Sequence, residues 1–191
     1  MAGRPLEFDR VEALSRAVDA FWCHGYEGLP TTVLAKEMGV SKSSLYNTFG
    51  TKRELLIEAV AAYTNAKAEA IRQIAASQDL LTQMRTFLLD IVHNNDDGMG
   101  CLLVNTAAEL GLHDIGVRQL LQSGFQSVSD AFELLVIAGQ RSGEFKRDLD
   151  STKAALMIVT TIAGLRVLAK AGVPTHQLAT AIEHPLAFIA A

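Results

Sequence analysis

Apolar residues recur at steps of three and four almost from end to end of this chain. Val11, Leu14, Val18 and Phe21 do so near the start. Met84, Phe87, Leu88, Ile91 and Val92 do so in the middle, and Leu121, Phe125, Val128, Phe132 and Leu135 step by four, three, four and three. That spacing places apolar side chains on one face of a 3.6-residue helix. No segment alternates with the period of two that a half-buried strand requires. The chain is therefore expected to be all-α, with nine to ten helices. Its 191 residues, 49% of them apolar, suffice to cover a core.

Capping residues punctuate the pattern. Asp9 with Glu12 marks the start of a first helix, and His24-Gly25 its end, with the His24 ring as a candidate cap. Pro30 suits the first position of a second helix and Gly39 the position just past its end. Ser41 is placed to cap a third by accepting from the amides of Ser43 or Ser44, and Gly50 stops it. Thr51-Lys52-Arg53-Glu54 reads as a capping box opening a long fourth helix to about Ser77. A helix around Met84–Val92 is followed by a loop over 93–100, a helix from Cys101 to Leu110, and a long one ending at Gly143. Asp150 or Ser151 caps a helix to about Ala171, and Thr175–Ile189 forms the last.

Cys23 and Cys101, 78 residues apart, provide neither a disulfide framework nor a zinc spacing, which points to a reducing, cytoplasmic setting. The opening Met1-Ala2-Gly3-Arg4-Pro5 lacks the apolar core of a signal peptide. The longest apolar run, Ala154 to Leu165, stops at 12 residues, short of the roughly 20 that span a bilayer. It is expected to be a buried helix of a soluble protein. The formal charge of −4 argues weakly against nucleic acid, but the charge is unevenly spread. Residues 1–54 carry 7 cations and 7 anions, and within Gly28–Arg53 stand Lys36, Lys42, Lys52 and Arg53 against the single anion Glu37.

Two short helices joined at Met38-Gly39-Val40-Ser41 form a helix-turn-helix pattern, in which the second helix enters the DNA major groove. Leu45 and Phe49, four apart, turn inward with Val40 and Ala35 behind them. Lys42, Ser43, Ser44, Tyr46, Asn47 and Thr48 remain outside. Asn47 suits adenine, Lys42 suits guanine or phosphate, and Tyr46 and Lys52 suit phosphates. The amino end of the fourth helix at Thr51 offers a dipole and free amides to an anion. Periodicity alone leaves open a plain helical corner with a solvated polar face.

The run Gly25-Tyr26-Glu27-Gly28, followed by Leu34-Ala35-Lys36-Glu37-Met38-Gly39-Val40-Ser41-Lys42-Ser43-Ser44-Leu45-Tyr46-Asn47-Thr48-Phe49-Gly50-Thr51-Lys52-Arg53-Glu54-Leu55-Leu56, closely resembles the signature of the tetracycline-repressor (TetR) family. The Gly-Val-Ser turn, the Leu-Tyr pair, the following Phe and the Lys-x-x-Leu helix start match in register. The resemblance implies a three-helix DNA-binding domain over 1–50 and an effector-binding and dimerisation domain over 51–191. It implies a homodimeric regulator, mostly a repressor in such families, on a near-palindromic operator, released by a small-molecule effector. It assigns DNA contacts mainly to Lys42, Ser43, Tyr46 and Asn47, with phosphate held by Lys52 and by the second helix start near Thr31 and Thr32. Two residues depart from the pattern: Pro30 stands where a Ser or Thr cap is usual, and Thr31 where an apolar residue is usual. The helix Asp150–Ala171, with Leu156, Met157, Ile158, Val159, Ile162, Leu165, Val167 and Leu168, is apolar almost all round and suits a four-helix seam with its two-fold mate.

Other residues carry weaker signals. Tyr63, Met84, Phe87, Ile91, Cys101 and Phe125 are candidates for an effector cavity, with Thr106 and Glu109 as polar handles; packing is the alternative. Cys101 opens a helix, where a thiol can become reactive, so a regulator sensing oxidants or electrophiles is a competing reading. A small-molecule-binding module with no DNA role is another. Cys23 beside Trp22 is expected in the core. His93, Asp96, Asp97 and the pair His113-Asp114 lack metal-ligand spacing. No hydrolase elbow, phosphate loop or dinucleotide fingerprint supports an enzyme, and no cofactor is implied.

Overall fold

The computed structural model describes residues 8–93 and 98–191. Nine helices are present among them: α1 (Arg10–His24), α2 (Thr31–Glu37), α3 (Lys42–Phe49), α4 (Lys52–Ala75), α5 (Leu80–His93), α6 (Leu102–Leu110), α7 (Ile115–Ser142), α8 (Ser151–Lys170) and α9 (Thr175–Ile189). The described residues contain no strand, and Phe145 pairs with Ala190 in one isolated β-bridge. Residues 94–97, including Asp96 and Asp97 and half of the expected 93–100 loop, lie outside the described residues.

The local signals act much as the sequence indicates. Asp9 accepts from the amides of Val11 and Glu12 at 2.8 and 3.2 Å. Ser41 Oγ accepts from Ser44 N at 3.0 Å, and Asp150 accepts from Lys153 N. Pro30 proves to be the cap of α2 rather than its first residue, and it contributes no side-chain bond. At the end of α2, Gly39 has φ +71°, Val40 N donates to Ala35 O at 3.0 Å and Gly39 N to Lys36 O at 3.1 Å. This pair of bonds closes the helix, and the left-handed backbone at Gly39 turns the chain toward α3.

Two apolar clusters hold the helices together. One joins Phe21, Leu34, Leu45 and Phe49 of the first three helices to Leu55, Leu56 and Val60 of α4, Leu102, Leu103 and Leu110 of α6, and Val117 and Leu121 of α7. The other joins Ile71 of α4 to α5, α8, α9 and the later part of α7, with Phe132 and Phe145 fully buried. The helices α4 and α7, about 36 and about 42 Å long at 1.5 Å per residue, run through both clusters and pack on each other. Of the first three helices, α1 and α3 pack on α4, and α1 also meets α6.

Three expectations need correction. Cys23 is exposed rather than in the core, because it falls on the outer side of α1 while Phe21 takes the inner one. The His24 ring does not cap α1: Gly25 N bonds Phe21 O, while His24 Nε2 lies 3.0 Å from Glu37 Oε1 on α2. The helix α8 is not buried all round. Ala154, Ala155, Ile158, Leu165 and Ala169 face the core, whereas Leu156, Val167 and Leu168 are exposed at 57%, 49% and 46%.

Candidate nucleic-acid interface and effector cavity

The helix α3 presents two faces. Leu45 and Phe49 are buried; Lys42, Ser43, Tyr46 and Asn47 are exposed, and Ser44 and Thr48 half-buried. Lys42 Nζ sits 6.0 Å from the centre of the Tyr46 ring. The hydroxyls of Ser43 and Ser44 lie 2.9 and 2.8 Å from Ser41 Oγ, so these serines also brace the helix start. Thr32 is exposed and Thr31 half-buried at the beginning of α2. The result is a small, polar, outward surface with one aromatic hydroxyl and one cation, which fits a major groove.

Two positions near α4 have other partners in this structure. Lys52 Nζ donates to Tyr26 O and lies 4.4 Å from the centre of the Tyr26 ring. At the start of α4, Thr51 N donates to Glu54 Oε2 at 2.7 Å and Glu54 N to Thr51 Oγ1 at 3.2 Å. The Glu54 carboxylate thus stands where the sequence reading put a phosphate, and these bonds lower its pKa.

Two carboxylates tie distant segments together, Glu109 to the head and Asp114 to the first turn of α4. Glu109, at the end of α6, accepts Tyr26 N at 2.8 Å and Glu27 N at 2.7 Å. Asp114 accepts from Arg53 through both oxygens and also caps α7 by accepting Val117 N at 2.9 Å. Neither clasp was foreseen, since each joins segments more than 60 residues apart.

A cavity of about 320 Å³ lies in the body between α4, α5, α6, α7 and α8. Tyr63, Phe87, Ile91, Cys101 and Phe125, all named from the sequence, line it. Met84, Thr106 and Glu109 do not: Met84 and Thr106 are buried in packing, and Glu109 is spent on the head. Lys67, Asp90, Val159, Ile162 and Arg166 line it as well, none of them foreseen. Helical phase relative to Tyr63 puts Lys67, four residues on, at the same wall. The Tyr63 hydroxyl donates to Cys101 Sγ at 3.8 Å. Burial foremost, and the neighbouring thiol, push the Tyr63 pKa well up, so the phenol stays neutral.

The exposed stripe of α8 runs Leu156, Thr160, Gly164 and Val167-Leu168, and Leu134 of α7 is exposed at 52%. A side chain at Gly164 would meet no atom within 4 Å. This apolar face has the form of a helix-packing seam for a second copy.

An outward recognition helix, borne by a helical body with its own cavity and an uncovered apolar seam, defines a DNA-binding transcriptional regulator. The chain belongs to the TetR family: the family of bacterial regulatory proteins, tetR family, matches residues 13–59, and the tetracyclin repressor-like C-terminal domain matches residues 78–184. Its fold superposes on the TetR family transcriptional regulator CifR, a cysteine mutant bound to 26-bp double-strand operator DNA. The TM-score is 0.81 and the identity 31%, over 96% of this chain and 98% of that one. The HTH-type transcriptional regulator YezE of Bacillus subtilis is 26% identical over 98% of this chain and 99% of its own length. The HTH-type transcriptional repressor ComR of Escherichia coli is 25% identical over 92% and 86%. The partners of the family are double-stranded DNA and a second copy of the same chain.

Proposed function

We propose that the chain is a cytoplasmic repressor held on a near-palindromic operator by two copies of α3 and released when a small molecule occupies the body cavity. In this reading residues 1–50 bind DNA, and residues 51–191 sense the effector and dimerise. Lys42, Ser43, Ser44, Tyr46, Asn47 and Thr48 face the groove, with Thr31, Thr32 and Lys52 toward the phosphates. The observation that carries the reading is the double role of α4. It begins one turn after α3, and its middle supplies Tyr63 and Lys67 to the cavity wall. The operator complex of the similar CifR protein and the repressor name of ComR support the same direction.

The mechanism is a population shift. The effector prefers a body arrangement in which the two recognition helices no longer match successive major grooves, and operator occupancy falls only by its differential affinity for the two states. The test is a gel shift on the DNA upstream of the chain's own gene, with a library of small molecules as competitors. Wild type binds and is released by at least one compound. Ala163→Phe, which fills the cavity, binds DNA but resists release. A protein that binds no such DNA, or a filled cavity that changes nothing, defeats the proposal.

A second reading is favoured by one contact. Cys101 lines the cavity and accepts a hydrogen bond from Tyr63, so a thiol-reactive compound entering there would meet it. If the thiol is the sensor, Cys101→Ser abolishes oxidant-induced release; unchanged release removes the reading.

A further inference from the structure

Lys67 stands beside two aromatic rings. Its Nζ lies 5.3 Å from the centre of the Tyr63 ring and 5.7 Å from that of Trp22. Both distances fall within cation–π range. Lys67 lines the cavity, is half-buried, and forms no ion pair with a carboxylate among the described residues. Trp22 meets Tyr63 edge-on at 5.2 Å. Its indole Nε1 is buried with no hydrogen-bond partner among the described residues. Two donors, an ammonium and an indole N–H, thus flank the Tyr63 ring, and neither has an acceptor. A buried donor without an acceptor is costly and calls for explanation.

Most of the cavity wall is apolar. Phe87, Phe125, Phe132, Val159 and Ile162 supply aromatic and aliphatic walls. At about 30 Å³ per water-sized group, 320 Å³ holds about ten heavy atoms. Asp90 is the one carboxylate among the lining residues, and it is exposed, so water screens it. The Arg166 guanidinium also lines the cavity and is engaged in an interaction of its own. A phosphate monoester brings three oxygens and nearly two charges, more than the Lys67 ammonium at the wall neutralises. A carboxylate, with one charge, matches it.

We propose that the effector is a small amphipathic monocarboxylate of about ten heavy atoms in all, whose carboxylate pairs with Lys67. This rests on the reading of the cavity as the effector site. It also supplies a route to the head, because Trp22 belongs to α1. An anion that draws Lys67 into the cavity takes the ammonium off the Trp22 ring and removes a contact between α1 and α4.

The test titrates the full-length dimer with hexanoate, octanoate, decanoate and phenylpropanoate, each beside its matched alcohol and amine. Binding is followed by calorimetry and by the fluorescence of Trp22, the one tryptophan in the chain. At least one acid binds about tenfold tighter than its alcohol and amine. Lys67→Met brings acid and alcohol to within about twofold, and Lys67→Arg restores the preference. Three results overturn the proposal: no acid binds, an alcohol or amine binds as well as its acid, or the preference survives in Lys67→Met. If a neutral compound releases operator from wild type but not from Ala163→Phe, the effector cavity stands and only the carboxylate class falls.

Discussion

Arg53 and Asp114 meet through two parallel hydrogen bonds, Nε to Oδ2 at 2.6 Å and Nη2 to Oδ1 at 2.8 Å. The pair ties the first turn of α4 to the residue that caps α7. With the Glu109 clasp on Tyr26 and Glu27 it brackets the α6–α7 corner against the head. The Glu109 clasp thus joins the head to the end of α6, while the Asp114 pair holds the start of α4 against α7.

The Arg53 hydrogen bond foremost, then the Val117 amide, hold the Asp114 pKa well below the usual carboxylate range. The caps of α4 and α8 lower those of Glu54 and Asp150, chiefly through the Thr51 and Lys153 amides. A depressed carboxylate stabilises the fold fully above its unfolded pKa, and that contribution is lost as pH falls toward the folded value. The melting temperature is therefore expected to be flat down to about pH 5 and to fall below about pH 4. Asp114→Asn flattens part of that fall, and Asp114→Ala, which also removes the α7 cap, melts lower than Asp114→Asn at neutral pH. Thermal melts across the pH range check both, and an unaltered acid slope in Asp114→Asn contradicts the assignment.

On the operator, Asn47→Ala is expected to cost about 1–3 kcal/mol of binding and to relax the preference at one base position. Lys42→Ala is expected to reduce the slope of log affinity against log salt by about one. Fluorescence anisotropy with operator DNA over a salt series measures both, while calorimetry with an effector serves as the folding control. Equal losses of DNA and effector binding would indicate misfolding instead.

Gly139 is wedged against a phenyl ring. A Cβ there would lie 2.2 Å from Phe145 Cδ2 and 2.5 Å from Cγ. Phe145 cannot easily retreat, since its amide donates to Gly139 O at 3.0 Å and its neighbour Lys146 donates to Ile189 O at 2.9 Å. Gly139→Ala is expected to destabilise by about 1–3 kcal/mol through overpacking, read as a lower urea midpoint with an unchanged slope.

The apolar stripe on α8 gives a separate test. Leu156→Glu places a charge in the seam and is expected to yield monomers in sedimentation velocity. Operator affinity then falls about 10²- to 10⁴-fold, because the second half-site is no longer bound by a tethered head. A dimer that persists would relocate the seam.

Much of this architecture was legible in the residues. The bounds of α1, α3, α4 and α9 follow from Asp9, Ser41, Thr51, Gly25, Gly50 and the apolar spacing, because a helix start or stop is decided within four residues of chain. The polar face of α3 was readable for the same reason: Leu45 and Phe49 fix which side is inside. Five cavity residues were found because a helical stripe shows which side chains point inward. It does not show whether they meet a wall or a void, so Met84 and Tyr63 looked alike.

What an amino-acid pattern determines here is local: where each helix begins, which stripe it buries, and the signature between Gly25 and Leu56. Only the tertiary arrangement decided that Glu109 serves the head rather than the cavity, that Lys52 turns to Tyr26, that Lys67 stands over Trp22, and that α8 keeps one apolar face uncovered. Periodicity has a range of one or two turns. The partner of a charge or ring 26 to 83 residues away is chosen by how whole helices cross, and no short window of sequence records that angle.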